Sequence, residues 1–341
     1  MTIEERISLI RAVEKERSSR VVSYLTGDRV PGLETRIGMD VFPFFYDVLS
    51  RIGKQKQIDL LIYSTGGATM AAWGLVNLLR EFADRLCVLV PFKAHSSATL
   101  IALGADEIVM SRMGQLSPVD PTVTSPFNPV LPGQPAGVPP QFLPVSVEDV
   151  IAFMDLLRDE VKLKEEANIA EVVKTLAADV RPLALGSVYR AKKQIGMLAR
   201  NLLHMHMGEQ EQDNIDRVVE LLTRELYSHD YLVGRKEAKD RVGLKIADCT
   251  EEFEKKIMEL FYDYSNRMEL ATPYNQEVVL GNQTTRVIEL DRAFIETTER
   301  TYVFRTKREV KRFKTAQQGV PMEGFQEKVM HEGWQLDQRK S

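Results

Sequence analysis

The sequence predicts an α/β fold: a parallel sheet with flanking helices, followed by a helical region and a small C-terminal appendage. Three observations carry that prediction. Strand-like and helix-like runs alternate from Arg20 to Met110, the pattern of βαβ units. The runs Ile58–Ser64 and Leu86–Val90 are almost continuously apolar, as strands covered on both faces must be. Both runs lead into breaks, Ser64-Thr-Gly-Gly67 and Ala94-His-Ser-Ser97, where the chain must turn from strand to helix.

Residues 3–18 place Ile3, Ile7, Ile10 and Val13 at helical spacing, which predicts an amphipathic N-terminal helix. Arg20–Leu25 reads as a strand, ended by Thr26, Gly27 and Asp28. Gly38–Ile52 reads as a helix with Val41, Phe44, Phe45 and Val48 on one face. Strand Ile58–Ser64 and helix Thr69–Phe82 follow, the helix with Met70, Trp73, Val76 and Leu79 in step. Strand Leu86–Val90, a short helix Ser96–Leu103 and strand Glu107–Met110 complete the alternation. The segment from Pro121 to Pro144 holds eight of the 15 prolines. Such density excludes helix and interior strand, so 121–146 is expected to be a surface loop or lid. Helical periodicity returns over 147–164, 167–178, 185–207, 210–227 and 251–268, and 229–244 reads as a helix closed by glycine. Residues 275–314 shift to short strand-like runs, including Arg286–Leu290 and Thr301–Phe304, and the tail from 315 is polar and expected to be mobile. The expected organisation is an N-terminal helix (1–19), an α/β domain with the following helices (20–250) and a C-terminal segment (251–341).

A formal net charge of −4 argues against a generic nucleic-acid binder, which shows a basic excess. The two cysteines, Cys87 and Cys249, provide neither a disulfide framework nor zinc spacing, so a cytoplasmic setting is expected. The charged N-terminus lacks the apolar stretch of a signal peptide, and no run reaches the roughly 18–20 apolar residues that span a bilayer. The basic run Arg305–Lys314 leaves peripheral membrane contact open, although a solvated face is the commoner use of such charge. No cofactor motif, phosphate-binding loop or metal cluster is visible, and no cofactor is expected.

The two breaks carry the chemistry. In parallel sheets ligands bind beyond the carboxyl ends of the strands, where both breaks lie. The Gly66-Gly67 turn can present backbone N–H groups, and Ser96 can present a hydroxyl at a helix start, the ingredients of a serine hydrolase. Each has a bland alternative. Ser96 can be an N-cap that satisfies a helix N–H, and Gly66-Gly67 can be a tight turn that needs positive φ.

Ser64-Thr-Gly-Gly67 followed by Ser96-Ser-Ala-Thr-Leu-Ile-Ala-Leu-Gly-Ala-Asp-Glu-Ile-Val-Met110 resembles the Clp/crotonase superfamily. The closest resemblance is to the signal-peptide peptidase A-like group and, within it, the serine dehydrogenase proteinase family. It covers residues 15–125 well and continues weakly through Pro182–Ile195 and 229–244. The family reads Thr-Pro-Gly-Gly and Ser-Gly-Gly-Thr-Leu-Ile-Ala at these places, so Thr65, Ser97 and Ala98 depart from it. The resemblance implies a ClpP/crotonase-like fold, Ser96 as nucleophile with Ser97 as the alternative register, and an oxyanion hole from the N–H groups of Gly66 and Ser97 beside Gly67. It also implies a polypeptide substrate and a homo-oligomer.

A serine nucleophile needs a base. No histidine lies about 25 residues after Ser96, where Clp-type proteases keep theirs; Asp120 stands there instead, and His95 adjoins the serine. Signal-peptide peptidase-like enzymes use a lysine, which must be neutral to act. On a helix from Leu185, the apolar face Val188, Ala191, Ile195, Leu198, Leu202 passes near Lys192 and leaves Lys193 opposite, so Lys192 is the favoured base. Lys162, Lys164 and Lys174 are the other candidates. The expected activity is therefore serine peptidase. The alternatives are a crotonase-like enzyme acting on acyl-CoA, with a carboxylate such as Asp120 as base, and a non-catalytic scaffold or partner-binding member.

Overall fold

The computed structural model of the chain describes every residue except 120, 121, 124, 135–138, 164, 227, 229, 318, 319 and 338–341. In chain order its main elements are α1 (Ile3–Arg17), β1 (Arg20–Thr26), α2 (Phe42–Ile52), β2 (Gln55–Tyr63), α3 (Thr69–Phe82), β3 (Ala83–Val90), α4 (Ser97–Leu103) and β4 (Glu107–Met110). Then come α5 (Val147–Asp155), α6 (Glu166–Asp179), α7 (Pro182–His204), α8 (Gln212–Glu220), β5 (Ile246–Ala247), α9 (Glu251–Arg267), β6 (Thr285–Glu296), β7 (Thr301–Gln317) and β8 (Val320–Leu336). They form two compact units, one of residues 1–116, 234–236 and 245–341, the other of 117–233 and 237–244.

The first unit is a mixed α/β sheet in the order β5-β4-β3-β2-β1-β6-β7-β8. The strands from β5 to β1 run parallel, as the βαβ alternation predicts. Side chains alternate between two covered faces. Val21, Leu25, Leu61, Tyr63, Cys87 and Leu89 join Ile10 and Val13 of α1 and Phe253, Ile257 and Phe261 of α9 in one cluster. On β1 the intervening Tyr24 points the other way, its ring edge-on to Phe45 of α2 at 5.1 Å. Helix α3 buries Val76 and Leu79 of the expected stripe together with Ala71, Ala72 and Leu75, whereas Trp73 is only half-buried. Small residues bring it close to its neighbours: a Cβ on Gly74 would sit 2.6 Å from the Phe42 ring, and Met70 is left exposed.

The C-terminal runs are much longer than their sequence signal. β6 pairs antiparallel with β1, Ser23 opposite Glu296, and β7 and β8 extend the same sheet, so residues 251–341 build the first unit rather than standing apart from it. In the tail from 315, expected to be mobile, residues 315–317 end β7 and Val320–Leu336 form β8. These strands were faint in the sequence because polar cross-strand pairs replace apolar alternation. Arg305 meets Asp291 at 2.6 Å, Lys307 meets Glu289 at 3.4 Å, and Arg308 meets Glu327 at 2.9 Å. The basic run is thus used largely inside the sheet.

One ion cluster ties the two ends of the unit together. Arg6 of α1, fully buried, donates to both carboxylate oxygens of Glu296 at 2.6 and 2.9 Å and to Asp263 at 2.8 Å. Burial alone would lower the Arg6 pKa, but Glu296 and Asp263 outweigh it and raise it, so the guanidinium stays charged. Tyr264 and Thr301 donate to the same Glu296.

In the second unit α7 buries Ala184, Val188, Ile195, Leu198, Ala199, Leu202 and Leu203, the face its periodicity predicts. The proline-rich segment is more ordered than a plain loop. Thr122–Val123 pairs with Val145–Ser146, and Val130 bridges Phe142. The segment read as a helix closed by glycine is a short helical stretch, Arg235–Glu237 and Ala238–Val242, ended by Gly243 at φ +88°.

Removing one partner of a buried ion pair strands the other charge. Arg6→Ala is therefore expected to destabilise the fold by about 3–5 kcal/mol, read as a lower urea midpoint with an unchanged slope.

Candidate active site

The site begins where β2 and β3 end. The Ser64 N–H donates to the Lys93 carbonyl at 2.9 Å, and the His95 N–H donates to the Ser64 carbonyl at 3.0 Å. Ser64 and Ala94 thus pair in parallel, which brings the two small-residue breaks side by side. A third segment completes the turn. The Ile37 N–H donates to the Gly66 carbonyl at 2.9 Å, and the Ala68 N–H to the Ile37 carbonyl at 2.8 Å.

Both glycines are needed for closeness as well as conformation. Gly66 has φ +105° and Gly67 φ +155°. A Cβ on Gly67 would lie 2.2 Å from the Ile37 carbonyl oxygen, and one on Gly66 would lie 2.7 Å from the Ser96 Cβ. The Ser64 hydroxyl oxygen holds the turn from inside, accepting from Thr26 Oγ1 at 2.7 Å and from the Gly66 N–H at 3.0 Å. The Gly66 N–H is therefore committed to Ser64, whereas the N–H of Gly67 makes no hydrogen bond among the described residues.

Ser96 stands at the start of α4 with φ +52° and ψ −116°, a conformation that L-residues avoid. It occupies the N-cap position but makes no side-chain capping bond, so the bland reading of this serine lacks its interaction. Thr99 stabilises the turn instead, donating to the Ala94 carbonyl at 2.8 Å. The neighbouring serines differ. Ser96 is partly exposed, with its Oγ 3.2 Å from the Cβ position of Gly66. Ser97 is 0% exposed, and its Oγ has no partner among the described residues.

The first unit brings Gly66, Gly67, Ser96 and Ser97 together. Lys192 belongs to the second unit, on α7, half-buried at the margin of the packed face. Lys193 is exposed, its ammonium 5.5 Å from the Tyr189 ring centroid. Lys174 is exposed and paired with Glu171 at 3.3 Å. Asp120 and Lys164 lie outside the described residues. Lys93, the lysine nearest Ser96 in sequence, is paired with Asp28 at 2.7 Å, and Asp28 also accepts from Tyr63 at 2.6 Å. Burial and Asp28 push the Tyr63 phenol up. Neither thiol is primed as a nucleophile: burial raises Cys87, and burial with Glu254 pushes Cys249 up to about 11. Among the described residues no acidic, histidine or cysteine cluster is arranged to hold a metal ion. No helix among the described residues is long and apolar enough to cross a membrane. Thr26 and Ile37 escaped the sequence reading because they join the turn through space, with no motif of their own.

The strain at Ser96 generates a prediction. Ser96→Gly is expected to raise stability by about 1 kcal/mol, because glycine accepts this φ without penalty, while removing the hydroxyl. Chemical denaturation checks the stability. Alkylation by iodoacetamide near neutral pH is expected to leave Cys87 and Cys249 largely unmodified in the folded protein, read by peptide mass spectrometry.

Residues 1–131 match the family model described as ClpP-like SDH-type serine proteinase. Two uncharacterized proteins of Methanocaldococcus jannaschii are similar. One is 27% identical over 264 residues, covering 75% of this chain and 78% of its own. The other is 32% identical over 129 residues, covering 36% of this chain and 43% of its own. Among solved structures, a mutant of a membrane-bound stomatin-specific protease aligns at 14% identity over 65% of this chain and 79% of its own, with a TM-score of 0.35, a superposition too loose to carry an argument. The matched segment contains both Ser64–Gly67 and Ser96–Met110.

Proposed function

We propose that the chain is a serine peptidase with Ser96 as nucleophile. The observation that carries this reading is the conformation of Ser96: strained, without a capping bond, and packed against the Gly66-Gly67 turn. In the proposed reaction Ser96 Oγ attacks the carbonyl carbon of a peptide bond and its proton passes to a neutral amine, that of Lys192. The protonated lysine then gives its proton to the leaving amine. Water, deprotonated by the same lysine, releases the acyl group and restores the serine.

The tetrahedral oxyanion needs donors that are not already engaged. Gly67 and Ser97 each offer a backbone N–H with no hydrogen bond among the described residues, and Gly66 serves by keeping the turn narrow. A donor of this kind is worth about 3–4 kcal/mol of transition-state stabilisation. The substrate class is a polypeptide, as for the family.

A fluorophosphonate probe is expected to label Ser96 in the wild type and to fail with Ser96→Ala. Peptide hydrolysis is expected to fall at least about a thousandfold in Ser96→Ala and in Lys192→Ala. A protonated lysine cannot accept the serine proton, so kcat/KM is expected to rise with pH until the base is neutral. Labelling that persists in Ser96→Ala, or lands on Ser97, would sink the assignment; full activity in Lys192→Ala would remove the lysine from it.

A further inference from the structure

Two consecutive glycines make the turn after Thr65 easy to deform. Gly66 and Gly67 lack the Cβ that restricts other residues, so the peptide between them can rotate at little cost. That peptide carries the Gly67 N–H, one of the two donors assigned to the oxyanion. Hydrogen bonds must therefore hold it. The Ile37 N–H donates to the Gly66 carbonyl at 2.9 Å. The Ser64 hydroxyl accepts from the Gly66 N–H at 3.0 Å and donates to the Gly66 carbonyl at 3.4 Å. In a trans peptide the carbonyl and the N–H point in opposite directions. Fixing the Gly66 carbonyl thus directs the Gly67 N–H away from Ile37 and Ser64.

Ser64 is itself held by one further side chain. Thr26 Oγ1 donates to Ser64 Oγ at 2.7 Å, and the two residues are 1% and 0% exposed. The Thr26 backbone is placed without its hydroxyl, by the pairing of Thr26 with Ala293 across β1 and β6. Valine has the same branching and suits a strand as well, so the packing of β1 gives no reason for a hydroxyl here. Ser64 gives one. A serine side chain has three staggered positions, and the Thr26 hydroxyl favours the one in which Ser64 Oγ meets the Gly66 N–H.

We propose, resting on the peptidase reading of Ser96, that Thr26 is a positioning residue for the oxyanion hole and acts through Ser64 on the Gly66–Gly67 peptide. Its hydroxyl is engaged with Ser64 rather than offered to substrate. What it sets is the direction of a backbone donor that the glycines alone leave free to turn.

Peptide hydrolysis and fluorophosphonate labelling of the full chain test this in wild type, Thr26→Val, Thr26→Ser, Ser64→Ala and the double variant Thr26→Val, Ser64→Ala. Thr26→Val is expected to lower kcat about 10–100-fold, up to the loss that a roughly 1 Å misplacement causes. KM is expected to stay within about twofold, because the donor acts on the transition state, and labelling of Ser96 slows with kcat. Thr26→Ser keeps the hydroxyl and is expected to hold kcat within about threefold of wild type. Ser64→Ala is expected to lose at least as much as Thr26→Val. The double variant is expected to lose no more than Ser64→Ala, since Thr26 acts only through Ser64. Where Thr26→Val fails to fold, Thr26→Ala takes its place against Thr26→Ser. A wild type labelled at Ser96 beside a Thr26→Val variant of equal kcat overturns the inference and leaves the peptidase reading standing. So does a Thr26→Ser variant as slow as Thr26→Val, or a double variant in which the two losses multiply. A folded wild type whose Ser96 is not labelled sinks the peptidase reading and this inference with it.

Discussion

The parallel pairing of Ser64 with Ala94 is the constraint on which the candidate site depends. Two neighbouring strands reach their carboxyl ends at the same level, and one more pair of hydrogen bonds holds them together there. The chain after β2 must then turn within the space left by the chain after β3. Only glycine fits at 66 and 67, because the Ser96 Cβ lies on one side and the Ile37 backbone on the other. The same closeness leaves Ser96 with φ +52° before α4 can begin. Strain of this kind costs about 1–3 kcal/mol and persists only where the surroundings over-determine it. Here the surroundings are α4, buried along its whole length, and the Thr99 bond to Ala94.

The scaffold is made rigid at a distance from the site. Arg6, Asp263, Tyr264 and Glu296 belong to α1, α9 and β6, elements that are far apart in the chain. A buried ion cluster contributes little net stability over an apolar core of the same shape, but its pairing geometry is specific. It selects one placement of α1 and α9 over the sheet, and that helix pair covers the face bearing Leu61 and Leu89, on the strands that lead into the site. The C-terminal strands also use charge pairs: Arg305 and Asp291, both largely buried, pair across β7 and β6.

Legibility in the sequence followed the physics of burial. β2 and β3 were plain because strands covered on both faces must be apolar throughout. The face of α7 was plain because its inner residues repeat at helical spacing, and that spacing also separated Lys192 from Lys193. In α3 the C-terminal half of the expected stripe, Val76 and Leu79, is buried, while Ala71 and Ala72 take the buried places in the first half that Met70 and Trp73 were expected to fill. β7 and β8 were nearly silent because lysines, arginines and glutamates occupy both sides of strands toward the sheet edge. Arg6 was invisible for a simpler reason: an arginine in a charged helix looks solvated until its partners, Asp263 and Glu296, arrive from the other end of the chain.

By itself the sequence determined the βαβ order, the strands that must be buried, and the small residues that allow Ser64–Gly67 and Ser96–Ser97 to approach another backbone. These are local properties of side-chain size, polarity and period. The tertiary structure decided which N–H of the turn is committed, that Ser96 is strained and partly exposed while Ser97 is sealed, and that the C-terminal strands extend the main sheet. Each of these depends on a partner far away in sequence: Thr26 and Ser64 for Gly66, Gly66 for Ser96, and β1 for β6. Hydrogen bonds and steric limits between remote segments leave no period in a chain, so only the folded arrangement could decide them.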